Sequence, residues 1–388
     1  MLFSSTAANL VTGDTNGTSD IFIKDLITGA VVRASTDAAG GQANGNSSEA
    51  VFSPDGTRVS FRSTATNLVA GDTNAASDIF VKDLTTGAIQ RVSTNALGVQ
   101  GDKFSLESNF SPDGRRLIIT SDATNLVAGD TNGFVDAFIA DLNLVSVTAT
   151  DATRPEGPSG TTLFSFTVSR TGVITQPLSV DWSVTGTGVH PANAADFGGV
   201  LPSGTVILAG AEPSTVVTVA VAGDAAIEFD ESFNITLSNV SVTDFMLGTK
   251  TATSVILNDD KSVASIAADA PSHVEGNAGT TTFTFTVTLD RAGPFAETID
   301  WSVAGAGATA ANAADFGGVL PSGTLTFGAG ETTRTISVDV VGDTAVEANE
   351  AFKVALANPS SGLAIGANSA SATIDNDDSA SVSIAALS

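Results

Sequence analysis

The chain contains no cysteine and no tyrosine, only two histidines and two tryptophans, and sixteen Lys plus Arg against forty-two Asp plus Glu in 388 residues. Without cysteine there are no disulfides, thiolate zinc sites or thiol nucleophiles, so any staple is packing or an oxygen-ligated metal. A net charge of −26 opposes nucleic acid and anionic lipid as partners. No run approaches the roughly 18 apolar residues of a membrane span. The start, Met1-Leu2-Phe3-Ser4-Ser5, has neither a basic n-region nor an apolar h-region, so no targeting signal is visible. The chain is nevertheless 42% hydrophobic, which separates it from disordered acidic sequences. Its length suits two to four domains, each with its own core.

Two repeat systems organise it. TNLVAGDTN at Thr66 to Asn74 recurs at Thr124 to Asn132, 58 residues on, with a variant at Ala8 to Asn16. FSPDG at Phe52 to Gly56 returns at Phe110 to Gly114. Asp14, Asp72 and Asp130 share this register, as do Asp20, Asp78 and Asp136. Short β-rich runs such as RVSFRS and DIFVKDL alternate with Pro-Asp-Gly and Thr-Gly turns, which reads as a strand meander. SPDG followed by a strand and then DIFVKDLTTGAIQRVS resembles the blades of TolB-type β-propellers. The resemblance covers residues 1–143, about two and a half units, whereas a closed propeller takes four to eight blades. The expectation is an incomplete array with an open edge. In GDTNGTSD (Gly13 to Asp20), Asp14, Asn16 and Asp20 share a loop whose glycine is misplaced for an EF-hand, so an Asx-turn is the expected role.

The second period is 119 residues. DWSV at Asp181 recurs at Asp300, and NAADFGGVLPSGT at Asn193 recurs at Asn312. In the last loop the offset slips to 118, aligning Asn258-Asp259-Asp260 with Asn376-Asp377-Asp378. Residues 379–388 read as the start of a third copy. Within each copy strands alternate: Phe283, Phe285, Val287 and Leu289 share one face, with threonines on the other. Five to seven such runs separated by Gly, Pro, Asn and Asp turns predict a β-sandwich in which Trp182 and Trp301 are candidate core aromatics.

Acids gather at strand ends and turns in both copies: Glu156, Asp196, Asp224, Glu228, Glu231, Asp259 and Asp260, then Glu275, Asp315, Asp343, Glu347, Glu350, Asp377 and Asp378. Solvated loop charge is the ordinary explanation for any one of them. Several at one pole need a counter-charge, because two carboxylates about 4 Å apart repel by roughly 4 kcal/mol at an effective dielectric of 20. Calcium suits such a pole, taking six to eight oxygens in flexible geometry. Magnesium keeps more water, and zinc is disfavoured without cysteine.

GDAAIEFDESFNITL at Gly223 to Leu237 and GDTAVEANEAFKVAL at Gly342 to Leu356 resemble the Asp-x-x-x-Glu-x-x-Glu-x-Phe signature of Calx-β domains. The hairpin before it, the early Glu-Gly and the closing Asn-Asp-Asp match as well. The resemblance implies two immunoglobulin-like sandwiches, residues 144–260 and 261–378, with calcium ligands at the fourteen acids above and at the carbonyls of Ala226 and Ala345. Gly223 and Gly342 stand where a further Asp can occur in the family, which implies one or two ions per copy.

The fold expected is therefore all-β: partial propeller-like blades followed by two tandem sandwiches. His190 and His273 fall where the other copy has Thr309 and Arg154, and no catalytic motif is present, so no enzyme is expected. The function expected is a calcium-stiffened extracellular or cell-surface protein for adhesion, with a protein or glycan ligand on the propeller-like part. The alternative is a calcium-sensing region of a larger enzyme or membrane transport protein.

Overall fold

A computed structural model describes residues 1–172, 176–242 and 245–382. Most of the third-copy start at 379–388 therefore lies outside the described residues. The chain divides into two compact units: one holds Met1–Arg154, Leu163–Val221 and Ser232–Val255, the other Pro155–Thr162, Ala222–Glu231 and Ile256–Ser388. The fold is all-β, and its only helical turns among the described residues are two short 3-10 segments.

The 58-residue period produces three antiparallel sheets. The first is β1 (Leu2–Ser5), β2 (Asp20–Lys24) and β3 (Val31–Arg33). The second adds a fourth strand: β4 (Ser47–Phe52), β5 (Arg58–Ser63), β6 (Asp78–Asp83) and β7 (Ile89–Arg91). The third is β8 (Ser105–Phe110), β9 (Arg116–Ser121) and β10 (Asp136–Asp141). Among the described residues these sheets do not close into a ring. The turn chemistry is what the sequence dictates: Asp55 Oδ1 accepts from Ser53 Oγ at 2.5 Å and Thr57 N at 3.0 Å, which closes the β4–β5 hairpin. Asp83 Oδ1 accepts from Thr85 N and Thr86 N, both at 2.8 Å, which closes β6–β7. At the corresponding point of the third sheet the chain leaves through Leu142 and Leu144, both buried, into the first sandwich.

Each 119-residue copy forms two facing sheets with the same strand order. In the first copy β11 (Leu144–Ala149), β12 (Thr153–Pro155), β13 (Gly160–Arg170), β14 (Leu178–Thr187), β15 (Ser203–Leu208), β16 (Ser214–Gly223), β17 (Glu231–Ser238), β18 (Met246–Leu247) and β19 (Thr251–Leu257) make sheets ordered β16-β13-β11-β18 and β12-β19-β17-β14-β15. The second has β20 (Ser262–Ala268), β21 (Ser272–Val274), β22 (Thr280–Leu289), β23 (Glu297–Ala306), β24 (Ser322–Phe327), β25 (Thr333–Val341), β26 (Glu350–Ala357), β27 (Leu363–Ile365) and β28 (Ser369–Asp375), ordered β25-β22-β20-β27 and β21-β28-β26-β23-β24.

The alternation of β22 sends Phe283, Phe285 and Val287 inward, where the two phenylalanines meet Phe352 of the facing sheet edge-on at 5.2 and 5.8 Å. Phe164 and Phe166 meet Phe233 in the same way in the first copy. The tryptophans differ from expectation. Trp182 and Trp301 are only partly buried, and their indoles lie over the cross-strand Gly204 and Gly323. Those glycines leave a shallow bed for a flat ring; Trp301 packs against the core from there, while the fully buried aromatics are phenylalanines.

Candidate metal centre

The second copy lies within one compact unit and is described first. Glu275 follows β21, while Asp377 and Asp378 follow β28, its parallel neighbour. That pairing brings the two loops together, and one carboxylate oxygen from each of Glu275, Asp377 and Asp378 lies within 4.8 Å of the others. Gly276 N donates to Asp377 Oδ1 at 3.3 Å.

Asp315, Glu347 and Glu350 form a second group within the same distance. Asp315 sits on the 3-10 turn Ala313–Phe316, where a capping box with Asn312 holds it: Asn312 N donates to Asp315 Oδ2 at 2.7 Å. Phe316 anchors that turn edge-on against Phe352. Glu350 opens β26, and Glu347 N donates to Asn376 Oδ1 at 3.2 Å. Asp343 Oδ1 accepts from Ala345 N at 2.6 Å, a tight Asx-turn in the loop that carries Glu347.

The electrostatics are those of anions without a counter-ion. Burial pushes Glu275 up, and Glu347, Asp343, Asp378 and Asp315 push it further. Glu350 is pushed up to about 7, first by burial, then by Asp315, Glu347 and Glu275. Asp378 is raised by burial, Asp377 and Asp343. The two groups thus act on each other as one acidic pole.

In the first copy Glu156, Asp259 and Asp260 form the counterpart of the first group, with oxygens within 4.8 Å. Gly157 N donates to Asp259 Oδ1 at 3.1 Å. Asp224 Oδ1 accepts from Ala226 N at 2.6 Å, and Glu228 N donates to Asn258 Oδ1 at 3.1 Å. Burial, Asp259 and Asp224 raise Asp260, with Arg291 opposing them. Asp196 is buried on the 3-10 turn Ala195–Phe197 and accepts from Asn193 N at 2.6 Å. Glu228 and Glu231 stand at the repeat positions of Glu347 and Glu350. Ala226 N and Ala345 N hold Asp224 and Asp343 in these turns, which places the carbonyls of the same two alanines in the acid-bearing loops.

A hard cation fits these residues. The donors are carboxylates and, among the described residues, Asp260 Oδ2 and Asp378 Oδ2 are buried oxygens with no hydrogen-bond partner, at the same place in each copy. A buried, unsatisfied carboxylate oxygen is costly unless a positive charge meets it. The glycines explain why no further acid stands there: a side chain on Gly223 or Gly342 would collide with the carbonyl oxygens of Gly157 and Gly276 respectively. The backbone occupies that place.

Sequence reasoning missed two positioning residues. Asn258 and Asn376 accept from the glutamate backbone and donate to the Asp260 and Asp378 carbonyls at 3.0 Å, which fixes the loop. The signal for them is the Asn that opens each repeated Asn-Asp-Asp.

The N-terminal acidic motif is an Asx-turn, as expected: Asn16 Oδ1 accepts from Thr18 N at 2.9 Å and Asn74 Oδ1 from Ala76 N at 3.0 Å. Asp78, fully buried, faces Arg91 at 3.7 Å and accepts from Ser93 Oγ at 2.5 Å. Burial still pushes its carboxyl up to about 6, with Asp72 adding to the shift and Ser93, Arg91 and Asn74 opposing it. A carboxyl with a folded value above its unfolded value of about 3.9 destabilises once ionised, and that cost grows from about pH 4 to pH 6. This group therefore makes the fold more stable as pH falls from 7 to 5, by on the order of 1 kcal/mol. Urea unfolding of the wild type and Asp78→Asn at both pH values tests it: the variant should lose that part of the slope, and equal slopes would refute the assignment.

Residues 160–261 and 263–378 match the Calx-beta domain. Among solved structures, CBD12 from CALX1.2 shares 18% identity over 58% of this chain and 99% of that chain, with a TM-score of 0.28. The calcium binding domain CBD12 of CALX1.1 shares 18% over 58% and 98%, also at 0.28. The apo-form Calx CBD1 domain shares 23% over 30% and 98%, at 0.25. No curated protein sequence matches the chain.

Proposed function

Because the chain belongs to the Calx-beta domain family through residues 160–261 and 263–378, we propose that it is a non-enzymatic calcium-binding protein whose two sandwiches each take calcium at their acidic pole. Calcium, when bound, supplies the positive charge and accepts six to eight oxygens. Glu275, Asp315, Asp343, Glu347, Glu350, Asp377 and Asp378 would hold it in the second copy. Glu156, Asp196, Asp224, Glu228, Glu231, Asp259 and Asp260 would hold it in the first. The single observation that carries this reading is the pair of buried, unpartnered oxygens of Asp260 and Asp378, each inside a carboxylate triad.

Both aspartates belong to the segment that leads out of a sandwich, so an ion held there stiffens the tandem as well as each domain. The N-terminal array, with its 58-residue period and Asp-Gly and Asp-Leu-x-Thr-Gly turns, is read as a TolB-like recognition surface. The whole serves adhesion or surface interaction outside the cell. Calorimetric titration of the chelated protein with calcium should give saturable binding in both copies and a much weaker response to magnesium, and scattering on the same samples should give a larger maximum dimension with calcium. Absence of binding heat would sink the reading, and an unchanged dimension would sink the stiffening.

A further inference from the structure

The third N-terminal sheet lacks something that the first two repeats supply for themselves. In the second repeat β7 pairs with β6, setting Arg91 opposite Phe80 and Ile89 opposite Lys82. Three side chains from this segment then serve the acidic loop. Arg91 lies 3.4 Å from Asp72 and 3.7 Å from Asp78. Ser93 Oγ donates to Asp78 Oδ1, and Gln100 Oε1 accepts from Arg91 at 2.8 Å. The first repeat does the same 58 residues earlier: Arg33 lies 3.6 Å from Asp20, Ser35 Oγ donates to Asp20 Oδ1 at 2.6 Å, and Gln42 donates to Asp14 Oδ1 at 2.8 Å.

The third repeat keeps the receiving half only. Asp130 and Asp136 stand in register, and Asn132 still donates to Asp136 Oδ2 at 2.9 Å. The positions that should carry the aliphatic residue, Arg, Ser and Gln are Val147, Ala149, Asp151 and Pro158. Val147 is committed to the first sandwich, paired with Val168. Among the described residues no cation lies within ion-pair distance of Asp130 or Asp136, and β10 ends its sheet with one edge unpaired.

The socket for the missing aliphatic side chain is present. In the second repeat Ile89 belongs to the core cluster of Ala34, Phe61, Leu68 and Phe80. Their counterparts 58 residues on are Val92, Ile119, Leu126 and Phe138, and these four line an open groove of about 260 Å³ beside β10. Ile139, which also lines it, is 72% exposed. An unpaired edge, an apolar socket and two carboxylates therefore lie where two sister repeats hold one strand.

We infer that the third repeat is an acceptor for an extended segment of a partner polypeptide with the pattern Ile/Val-x-Arg-x-Ser, with Gln eleven residues after the aliphatic residue, which adds as a strand to β10. Main-chain pairing supplies affinity, while the aliphatic socket and the Asp-Arg pairing supply register and selectivity. The pattern is that of Val31–Gln42 and Ile89–Gln100. A partner carrying repeats of this type is the class of molecule it fits, which makes the array a docking end for a like array.

The test uses the full chain and a synthetic peptide of the sequence Gly87 to Gly101. Calorimetry should show saturable one-to-one binding, weakened about tenfold or more by Arg91→Glu in the peptide. Asp136→Asn in the protein should weaken binding similarly. Because that variant can perturb folding, the peptide substitution on wild-type protein is the deciding comparison. A benzophenone in place of Ile89 in the peptide should label Ile119, Leu126 or Phe138. No binding, equal binding of the Arg91→Glu peptide, or labelling confined to residues outside this groove would overturn the inference.

Discussion

At a calcium concentration a hundredfold above its dissociation constant, the second sandwich is expected to unfold about 10 °C higher than in chelator. A ligand bound only by the native state stabilises by about 2.7 kcal/mol at that excess, and for a domain of roughly 120 residues each kcal/mol moves the midpoint by about 4 °C. The structure gives the reason for so large a response. Glu275, Glu350 and Asp378 are all raised by burial and by neighbouring carboxylates, so the ion-free fold crowds anions together. In the unfolded chain the same groups separate into water and repel weakly. Calorimetric scans in calcium, magnesium and chelator check this, and superimposable scans would contradict it.

Glu350→Gln should reverse its effect with the ion. In chelator it removes the charge whose carboxyl is pushed up to about 7, relieving repulsion from Asp315, Glu347 and Glu275. The variant should then melt higher than wild type, by on the order of 1 kcal/mol once solvent screening of the pole is allowed for. In calcium it deletes a ligand, and a tenfold loss of affinity corresponds to about 1.4 kcal/mol. Wild type should then be the more stable protein. A glutamate that served only to begin β26 would give the same sign in both buffers. Denaturant unfolding of the two proteins, with and without calcium, distinguishes these cases.

Much of this was readable because it is periodic. The alternation of Phe283, Phe285 and Val287 with threonine specified a half-buried strand and the face it buries. The 119-residue offset paired Glu275 with Glu156, its slip to 118 paired Asp378 with Asp260, and strand pairing then brought Glu156 to Asp260 and Glu275 to Asp378. What escaped was set by contacts between segments distant in sequence. Nothing local says that Gly342 must remain a glycine, since the obstacle is the carbonyl of Gly276. Nor does anything local show that the side chains of Arg33 and Arg91 are largely buried against the acids of loops 14–20 and 72–78. The size of a tryptophan on a sandwich strand suggests a core position, whereas the cross-strand glycines that seat Trp182 and Trp301 lie more than twenty residues away.

Leu142 and Leu144, where the period changes from 58 to 119 residues, are buried in one core with Ile79, Leu117, Ile119 and Met246. The join is therefore shared packing and not a free linker. Tension applied along the chain at this point would be borne by apolar contacts and strand pairing. It could not be relaxed by paying out slack, so force arriving at the first sandwich is passed directly into the third N-terminal sheet.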